Sequence, residues 1–537
     1  MDTKNIYHAA VEATHPPRSH CRNTRKFMMQ PVDKKKNKKY KKKSIIDCIC
    51  NSKDELIKPA EFEETCHIFD MTENYFGISS SQLLSLEKYV TEIIYPFYKK
   101  YDFYRINYNH KFNFFPVAIV RAHTIEDIIS TINFCKKFNL PLRARGGAHC
   151  YEPASLVNYG IVLDQRPREN VTKINLKKYT AKIQAGALLG PVMDALAKQN
   201  VMIPFGTCVT NGLAGLTLGG GIGFSLREYG LTLDNVVDMK VVLADGEIVH
   251  ANNDTNKDLF WALRGAGGGN FGVVTDFKFR IYPVEWVTVF TMNFNFDDTK
   301  NVFMVWQTWA PNVNTKLTSE FDIHNKFQPV IVTGQLLPIK NPKSDKKLLF
   351  ELLTPLIELG LHIDFSIKTM SQKESSEYFG QSSYARPLFF YNKSDFNFEP
   401  LCEGAIDTIV HHMGLLDEFQ SYHKTEIDAL GGNFANIPPD ATAFPSRSAI
   451  HWLQYTSLWD TSDQENINMT WLKNYYNDMR RFFPENMKYV NALDYDVCPD
   501  VALGSYYGDN LGRLIKIKQK YDPDNFFNFE QSIPVLS

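Results

Sequence analysis

Two glycine-rich segments, one ending at His149 and one following Cys208, constrain this chain more than any other feature of its sequence. The first also carries Arg143 and Arg145, and the second continues into a long glycine run with many unhindered backbone N–H groups. Guanidinium and backbone N–H groups suit a pyrophosphate, and a nucleophilic histidine and cysteine suit covalent attachment to an isoalloxazine ring. The two segments together therefore predict a flavin nucleotide site.

Glycine runs also occur in NAD-binding Rossmann domains, but the context here does not fit such a domain. The run at residues 219–223 does not follow a first strand, and no acidic residue stands at the ribose position of a βαβ unit. A Rossmann-type dehydrogenase is therefore not favoured.

The length and composition indicate a globular chain of several domains. Its 537 residues exceed what one hydrophobic core usually supports, so we expect two or three domains. The hydrophobic content is 44%, and no apolar run reaches the length of a membrane span. The N-terminal residues lack the pattern of a secretory signal, and the nine cysteines follow no repeating spacing. These features predict an intracellular protein with mostly free thiols and no metal site.

A basic stretch lies near the N-terminus, within a tail expected to be disordered over residues 1–70. Residues 34–43, which begin with Lys34 and end with Lys43, contain eight lysines, whereas the net charge of the whole chain is -1. Such a stretch repels itself and does not collapse into a core. A solvated tail, a nuclear localisation signal, and weak attraction to nucleic acid or anionic lipid all stay open.

Hydrophobic periodicity predicts alternating strands and helices in the first half of the chain. We expect a helix near residues 81–98, a buried strand over residues 115–120, and a helix that begins at Thr124 with Asp127 as its capping-box partner. This alternation favours an α/β arrangement around the first glycine-rich segment.

A hairpin is expected further along. Strands over residues 236–243 and 247–251 flank the dipeptide Asp245-Gly246, which is a strong turn signal. The glycine runs stop after Pro283, so a second domain is expected to follow.

Four motifs occur in a fixed order along the chain. They are Arg143-x-Arg-x-Gly-x-His149, the run from Cys208 through Gly223, Trp261-Ala-Leu-Arg-Gly-x-Gly-Gly-Gly-Asn270-Phe-Gly272, and a C-terminal motif that begins at Tyr506 and closes with Glu530-Gln531-Ser-Ile-Pro534. Together they resemble the FAD-linked oxidases of the vanillyl-alcohol oxidase and p-cresol methylhydroxylase (PCMH) fold, and within them the berberine-bridge-enzyme-like subfamily.

The resemblance implies an α+β fold whose parts can be bounded along the sequence. They are the tail (1–70), a helical lead-in (71–110), a two-subdomain PCMH-type FAD-binding domain (111–284), a substrate-binding domain with an antiparallel sheet (285–485), and a C-terminal berberine-bridge-like segment that returns to the FAD domain (486–537).

The resemblance also implies FAD that is bound covalently twice, at the 8α-methyl group through His149 and at C6 through Cys208. The glycine-rich segments and the family motifs together predict a set of cofactor-binding residues. They are Arg143, Arg145, Gly146, Gly147, Ala148, His149, Cys208, Gly212, Gly215, Gly219, Gly220, Gly221, Gly223, Asn270, Gly272, Asn510 and Asn525.

Members of this family take a proton from a substrate hydroxyl group while hydride passes to flavin N5. The resemblance assigns the base to Tyr506, and Gln454 matches a polar position that faces the substrate. Tyr506 and Tyr507 would point in opposite directions if this segment were extended, so only one of them is expected to face the ring.

Three positions depart from the family pattern. Trp452 stands where some relatives hold a lysine that supports a deprotonated tyrosine, and Leu216 replaces a histidine near the ribityl chain. Asn211, at the position that gates oxygen in the family, is neither a small side chain nor a blocking aliphatic one. The choice between oxidase and dehydrogenase therefore stays open.

The sequence thus predicts an FAD-dependent oxidoreductase that acts on a hydroxyl-bearing small molecule, a sugar or a secondary-metabolite alcohol, and is reoxidised by O2. Two alternatives remain: a dehydrogenase with another electron acceptor, and a non-catalytic structural flavoprotein whose lysine-rich tail attracts nucleic acid.

Overall fold

The computed structural model describes residues 59–380, 389–415 and 422–536. Within these ranges the chain combines four β-sheets with packed helices, which confirms the predicted α+β fold class. The lysine-rich residues 34–43 lie outside the described part. None of the described helices has both the length and the apolar character that a membrane crossing requires.

The helices connect the strands and cover the sheets. The α-helices are Pro59–Phe76, Ser80–Leu84, Tyr101–Arg105, Ile125–Phe138, Leu189–Ala197, Leu213–Gly219, Leu226–Tyr229, Lys257–Ala262, Thr299–Trp309, Pro342–Leu352, Thr354–Ile357, Gln372–Gly380, Glu403–Gly414, Glu465–Met479, Pro499–Tyr507 and Leu511–Tyr521. Short 3-10 helices are Ser85–Lys88, Pro153–Ser155, Thr232–Asn235, Phe296–Asp298, Gly432–Phe434, Ser462–Gln464, Arg480–Phe482 and Gly508–Asn510.

The first sheet carries the loop that contains His149. Its strands are β1 (Ile93–Ile94), β2 (Ala118–Arg121), β3 (Leu142–Arg145) and β4 (Ile161–Asp164), in the order β1-β2-β4-β3. Strands β2, β3 and β4 are parallel, so a helix must cross over between β2 and β3. That helix begins at Thr124, whose Oγ1 accepts the N–H of Asp127, while the Asp127 carboxylate accepts the N–H of Thr124. The predicted capping box is confirmed, and β3 delivers the chain directly into the His149 loop.

Two expectations for the N-terminal region are wrong. The helix expected near residues 81–98 ends early, because Ile93 and Ile94 pair with the open edge of β2 instead. The expectation of disorder up to residue 70 is wrong for residues 59–70, since residues 59–76 form a helix. This helix buries Ile68 and Phe69 in the core of the first sheet. Burial of apolar side chains decides both outcomes.

The second sheet carries the remaining glycine loops. The strands of this region are β5 (Val171–Asn175), β6 (Thr180–Gln184), β7 (Val201–Met202), β8 (Val236–Val242), β9 (Ile248–Asn252), β10 (Val273–Arg280) and β11 (Tyr282–Pro283). The sheet order is β5-β6-β10-β8-β9, and β7 pairs separately with β11. The predicted hairpin is confirmed as β8–β9, where Gly246 adopts a φ of +85° in the turn.

The third sheet is antiparallel throughout and lies where the substrate domain was expected. Its strands are β12 (Val287–Phe294), β13 (Leu317–Ile323), β14 (Val330–Leu336), β15 (His362–Met370), β16 (Phe389–Asn397), β17 (Tyr422–Ala429) and β18 (His451–Trp459), in the order β15-β12-β14-β13-β17-β18-β16. Alternate residues such as Phe321, Ile427 and Leu453 enter a helix-covered core. Their sequence neighbours must therefore face the other side, toward the FAD domain.

The C-terminal segment packs against the FAD domain. Lys518 Nζ donates to the backbone oxygen of Asn270 at 2.7 Å, and Tyr507 Oη donates to the backbone oxygen of Ala266 at 2.8 Å. The expectation of mostly free thiols holds for Cys135, Cys150 and Cys402, but Cys498 is disulfide-bonded. The domain boundaries themselves stay predictions.

Candidate active site

A cavity of 330 Å³ lies between the glycine loops and the exposed face of the third sheet. One part of its wall is backbone from the loops around His149, Cys208 and residues 266–269, and another part is side chains from β13, β17 and β18. The cavity therefore brings residues from both predicted domains into one site.

Most of the predicted cofactor residues line this cavity. They are Arg143, Arg145, Gly146, Gly147, Ala148, His149, Cys208, Gly212, Gly215, Gly223 and Gly272. The predicted substrate-facing Gln454 lines it as well, as do the three departures Asn211, Leu216 and Trp452. The roles given to these residues stay predictions, but their convergence was expected from the order of the motifs.

Two glycines bring the reactive side chains together. A Cβ atom on Gly147 would lie 2.3 Å from the Gly212 nitrogen, and one on Gly212 would lie 2.2 Å from the Gly147 nitrogen, so no other residue fits where these loops cross. As a result Cys208 Sγ lies 3.7 Å from His149 Nε2, and Thr210 Oγ1 lies 3.0 Å from that nitrogen. The Tyr108 ring stacks on the His149 imidazole at 3.8 Å between centroids and fixes its plane.

The two arginines differ in what they contact. Arg143 lines the cavity, its guanidinium donates to the backbone oxygen of Leu142, and no carboxylate of the described residues pairs with it. Burial lowers the pKa of Arg143 to about 10. Arg145 instead forms a fully buried ion pair with Asp164 at 2.9 Å. Asp164, on the neighbouring strand, also pairs with Arg166, so Arg145 is engaged in a buried ion-pair network and its phosphate role stays a prediction.

The residues present fit FAD. Gly215 and Gly268 line the cavity, and a Cβ built on Gly215 would meet no protein atom within 4 Å, so backbone is open to a ligand there. Arg143 would hold a phosphate, because it is a cation without an ion-pair partner among the described residues. His149 and Cys208 would hold the ring, since they are the nucleophiles that meet in the wall.

Six predicted cofactor residues lie outside the cavity wall. They are Gly219, Gly220, Gly221, Asn270, Asn510 and Asn525. The three glycines are required because the side chains of Asn491, Tyr489 and Thr232 cross them. Asn270 and Asn510 tie segments together, since Asn270 Oδ1 accepts the N–H of Ile533 and Asn510 Nδ2 donates to the backbone oxygen of Pro439. These two motif asparagines therefore hold the segments around the cavity together.

Tyr506 also lies outside the cavity wall, and its expected role as the base stays a prediction. Its segment is helical rather than extended, and its hydroxyl accepts the N–H of Asp494 at 2.8 Å and donates to Gln531 Oε1 at 2.9 Å. Burial, and next the Asp494 carboxylate, raise the pKa of Tyr506 well above its ordinary value. The tyrosine hydroxyl therefore ties the C-terminal segment at Gln531 to the backbone at Asp494.

Tyr489 is the C-terminal tyrosine that does line the cavity. Its hydroxyl accepts the N–H of Gly221 at 2.7 Å and the Nδ2–H of Asn491 at 3.0 Å. Burial raises the pKa of Tyr489 to about 12, and the two donated hydrogen bonds oppose that rise. Tyr506 instead belongs to the helix Pro499–Tyr507 and is not part of this wall.

An acidic cluster that the sequence analysis missed also lines the cavity. It consists of Glu320 on β13 with Glu426 and Asp428 on β17, whose nearest oxygens all lie within 4.8 Å of one another. The signal was present as acidic residues at alternate positions of two strands, which places them on one face. Its meaning depended on the pairing of β13 with β17, which no local pattern encodes.

One lysine partly neutralises this region. Lys424 Nζ lies 2.6 Å from Glu426 Oε2 and 3.0 Å from Asp322 Oδ1, and Gln454 Nε2 donates to Glu426 Oε1 at 3.1 Å. Asp428 is only 8% exposed, and its Oδ2 has no hydrogen-bond partner among the described residues.

The remaining acidic side chains hold protons tightly. Burial and the neighbouring carboxylates raise the pKa values of Glu320 and Asp428 well above their ordinary range, and raise that of Asp322 to about 6. A proton or a cationic partner therefore stabilises these side chains more than it would stabilise a solvent-exposed carboxylate.

Comparison with protein families agrees with this geometry. A model described as FAD binding domain matches residues 116–252, and a model described as berberine and berberine like matches residues 488–534. The FAD-linked oxidoreductase YgaK of Bacillus subtilis is 34% identical over 447 residues, which cover 81% of this chain and 95% of that protein.

Solved structures agree in fold. Berberine-bridge-enzyme-like 1 of Physcomitrella patens is 28% identical with a TM-score of 0.76, over 85% of this chain and 99% of that one. Glucooligosaccharide oxidase from Acremonium strictum, which carries a 6-S-cysteinyl, 8α-N1-histidyl FAD, is 25% identical with a TM-score of 0.77, over 85% of this chain and 100% of that one.

Proposed function

The chain belongs to the berberine-bridge-enzyme-like family of FAD-linked oxidoreductases, and we propose that it oxidises a hydroxyl-bearing organic molecule with FAD attached through both His149 and Cys208. The observation that carries this proposal is the 3.7 Å separation of His149 Nε2 and Cys208 Sγ in the cavity wall. The histidyl and cysteinyl links of the Acremonium strictum oxidase support it.

Bound FAD would supply the hydride acceptor, and the protein would position the substrate and take up its proton. A double attachment restrains the ring from two sides, so the substrate needs to be aligned only against the face of the third sheet. Tyr108, stacked on His149, would keep the imidazole in the orientation that the attachment requires.

Glu426 is the group best placed to accept the hydroxyl proton. Lys424 Nζ lies 2.6 Å from its Oε2, and Gln454 Nε2 donates to its Oε1 at 3.1 Å, so Glu426 is a fixed hydrogen-bond acceptor in the cavity wall. The proposed base is thus a carboxylate in place of Tyr506.

The substrate is proposed to be a sugar or a secondary-metabolite alcohol, and O2 is proposed as the electron acceptor. Asn211 lines the cavity at the position assigned to the oxygen gate, and because it is neither a small nor a blocking aliphatic side chain, a dehydrogenase stays the alternative. Peroxide formation in air with a panel of alcohols tests the oxidase. Turnover only with artificial electron acceptors would favour the dehydrogenase, and a lack of flavin reduction by every alcohol would contradict both.

A further inference from the structure

We propose that the acidic cluster makes this cavity selective for a cationic alcohol, a molecule that carries a protonated amine in addition to the hydroxyl group it presents for oxidation. The inference rests on the proposed function, because it names the substrate class of the same cavity. Glu320 and Asp428 would hold the ammonium group, which leaves Glu426 to accept the hydroxyl proton.

The carboxyl groups of the wall outnumber its cations. Four carboxyl groups lie on this face of β13 and β17, and Lys424, the lysine among them, forms ion pairs with Asp322 and Glu426. Glu320 and Asp428 form no ion pair with a cation of the described residues, although each lies within 4.8 Å of another carboxylate. A buried carboxylate is stable only when it is protonated or paired, so this wall lacks a cation.

Asp428 points to the missing partner independently of the clustering. It is more than nine-tenths buried, it lines the cavity, and its Oδ2 meets no donor among the described residues. A buried acceptor of this kind normally has a partner, and Asp428 belongs to the cavity wall. A cationic group bound in the cavity would supply that partner.

The surroundings favour an ammonium group over a metal ion. Tyr151, Trp452 and Tyr489 line the same cavity, and aromatic faces attract organic cations. A hard metal ion would need about six oxygen ligands or several retained waters, whereas the cluster supplies one oxygen from each of three residues. A neutral sugar could donate hydrogen bonds to these oxygens, but it would not offset their charge.

The inference makes a statement about pH. The carboxyl groups that would face the ammonium group are Glu320, Asp322, Glu426 and Asp428, and the one lysine among them is Lys424. Because the cation binds the ionised carboxylates, its affinity rises as the pH increases from about 5 toward the pKa of the ligand amine. Binding near neutral pH releases protons from the cluster.

Calorimetry on the purified holoenzyme tests the inference without turnover. Benzylamine and its uncharged counterpart benzamide are titrated at pH 7.5 in two buffers of different ionisation enthalpy. We expect benzylamine to bind at least about 30-fold more tightly and to release protons, as for a desolvated charge pair. Equal affinity for the two ligands, or tighter binding of benzamide, would overturn the inference.

Two variants and a control locate the effect. Asp428→Asn and Glu320→Gln are each expected to lower the affinity ratio by about tenfold or more, since each removes one charge from the site. Asp364→Asn, an exposed carboxylate on β15 of the same sheet, is expected to keep the ratio. If neither Asp428→Asn nor Glu320→Gln changed the ratio of benzylamine to benzamide affinity, the proposed ammonium site would be contradicted.

Kinetics separate this inference from the proposed function. Anaerobic flavin reduction is measured with 4-(aminomethyl)benzyl alcohol and with its neutral analogue 4-ethylbenzyl alcohol. Preferred reduction by the amino alcohol supports the inference, and equal reduction by both overturns it while the oxidoreductase proposal stands. A chelator-sensitive Mg²⁺ or Ca²⁺ that competes with benzylamine would overturn it in favour of a metal site.

Discussion

His149 Nε2 lies 3.7 Å from Cys208 Sγ, although the two residues stand 59 positions apart in the chain. They meet because two loops cross at Gly147 and Gly212, where neither position has space for a Cβ atom. This crossing places an imidazole and a thiol in the wall of one cavity.

Gly212→Ala is expected to separate the two nucleophiles. The new Cβ would lie 2.2 Å from the Gly147 nitrogen, so the loops must move apart, at a cost of roughly 1–3 kcal/mol in stability. We expect the covalently attached flavin to fall with it. The matched control is Gly512→Ala, because Gly512 lies in a helix with no atom near the new Cβ and should gain about 0.5–1 kcal/mol. Normal flavin content in Gly212→Ala would contradict the role of the crossing.

The two arginines should separate cofactor binding from folding. Arg143→Met removes a guanidinium from the cavity wall and should lower FAD content with little change in the denaturation midpoint. Arg145→Met leaves Asp164 with only the partly exposed Arg166, and should lower the free energy of unfolding by about 3 kcal/mol. Flavin content and denaturant titrations are measured for both variants. Loss of FAD in Arg145→Met at unchanged stability, with loss of stability in Arg143→Met at unchanged FAD content, would refute these roles.

Glu426→Gln is expected to slow flavin reduction by roughly 10²- to 10⁴-fold, because it removes the proposed proton acceptor. The measurement is stopped-flow reduction under anaerobic conditions with any alcohol that the wild-type protein oxidises. Tyr489→Phe is the comparison variant, since its hydroxyl lines the same cavity. If Tyr489→Phe abolished reduction and Glu426→Gln left it intact, the base would be the tyrosine.

Tyr506→Phe is expected to affect stability more than chemistry. The lost hydroxyl leaves Gln531 Oε1 and the N–H of Asp494 without their partner, which costs roughly 1–3 kcal/mol. Reduction rates should stay within a few fold of the wild-type rate. A large loss of rate at unchanged stability would restore Tyr506 as the base.

Glu152→Gln is expected to stabilise the fold in a pH-dependent manner. Burial raises the pKa of Glu152 from 4.5 to about 8, so the folded state holds a proton that the unfolded chain releases. The wild-type protein therefore loses stability, relative to the variant, as the pH rises from about 4.5 to about 8, by on the order of 3–5 kcal/mol in total. Denaturant titrations at pH 5, 7 and 9 measure the difference, with Glu285→Gln, an exposed position, as the control. A difference that does not change with pH would contradict the shifted pKa.

Local signals explain why parts of this fold could be predicted. The capping box at Thr124, the hairpin at Gly246 and the glycine loops around His149 and Cys208 are each encoded within a few neighbouring residues. The family resemblance carried by these motifs implied that His149 and Cys208 meet at one flavin, and both line one cavity.

The errors came from tertiary packing. Ile93 and Ile94 continue the helical spacing of the apolar residues before them, yet they pair as a strand with the open edge of β2. Arg145 matches a phosphate-binding pattern, but the parallel pairing of β3 with β4 places it against Asp164. The acidic cluster depends on which strands lie side by side in the third sheet, and the segment of Tyr506, considered as extended, is a helix.

The most direct test of the double attachment is the intact mass of acid-denatured protein, followed by peptide mapping. We predict a mass increase of one FAD on the chain, with flavin on the peptides that contain His149 and Cys208, and retention of one link in each of His149→Ala and Cys208→Ala. A chain with the mass of the apoprotein and a colourless pellet, after expression with ample riboflavin, would contradict the proposal that these residues hold the flavin.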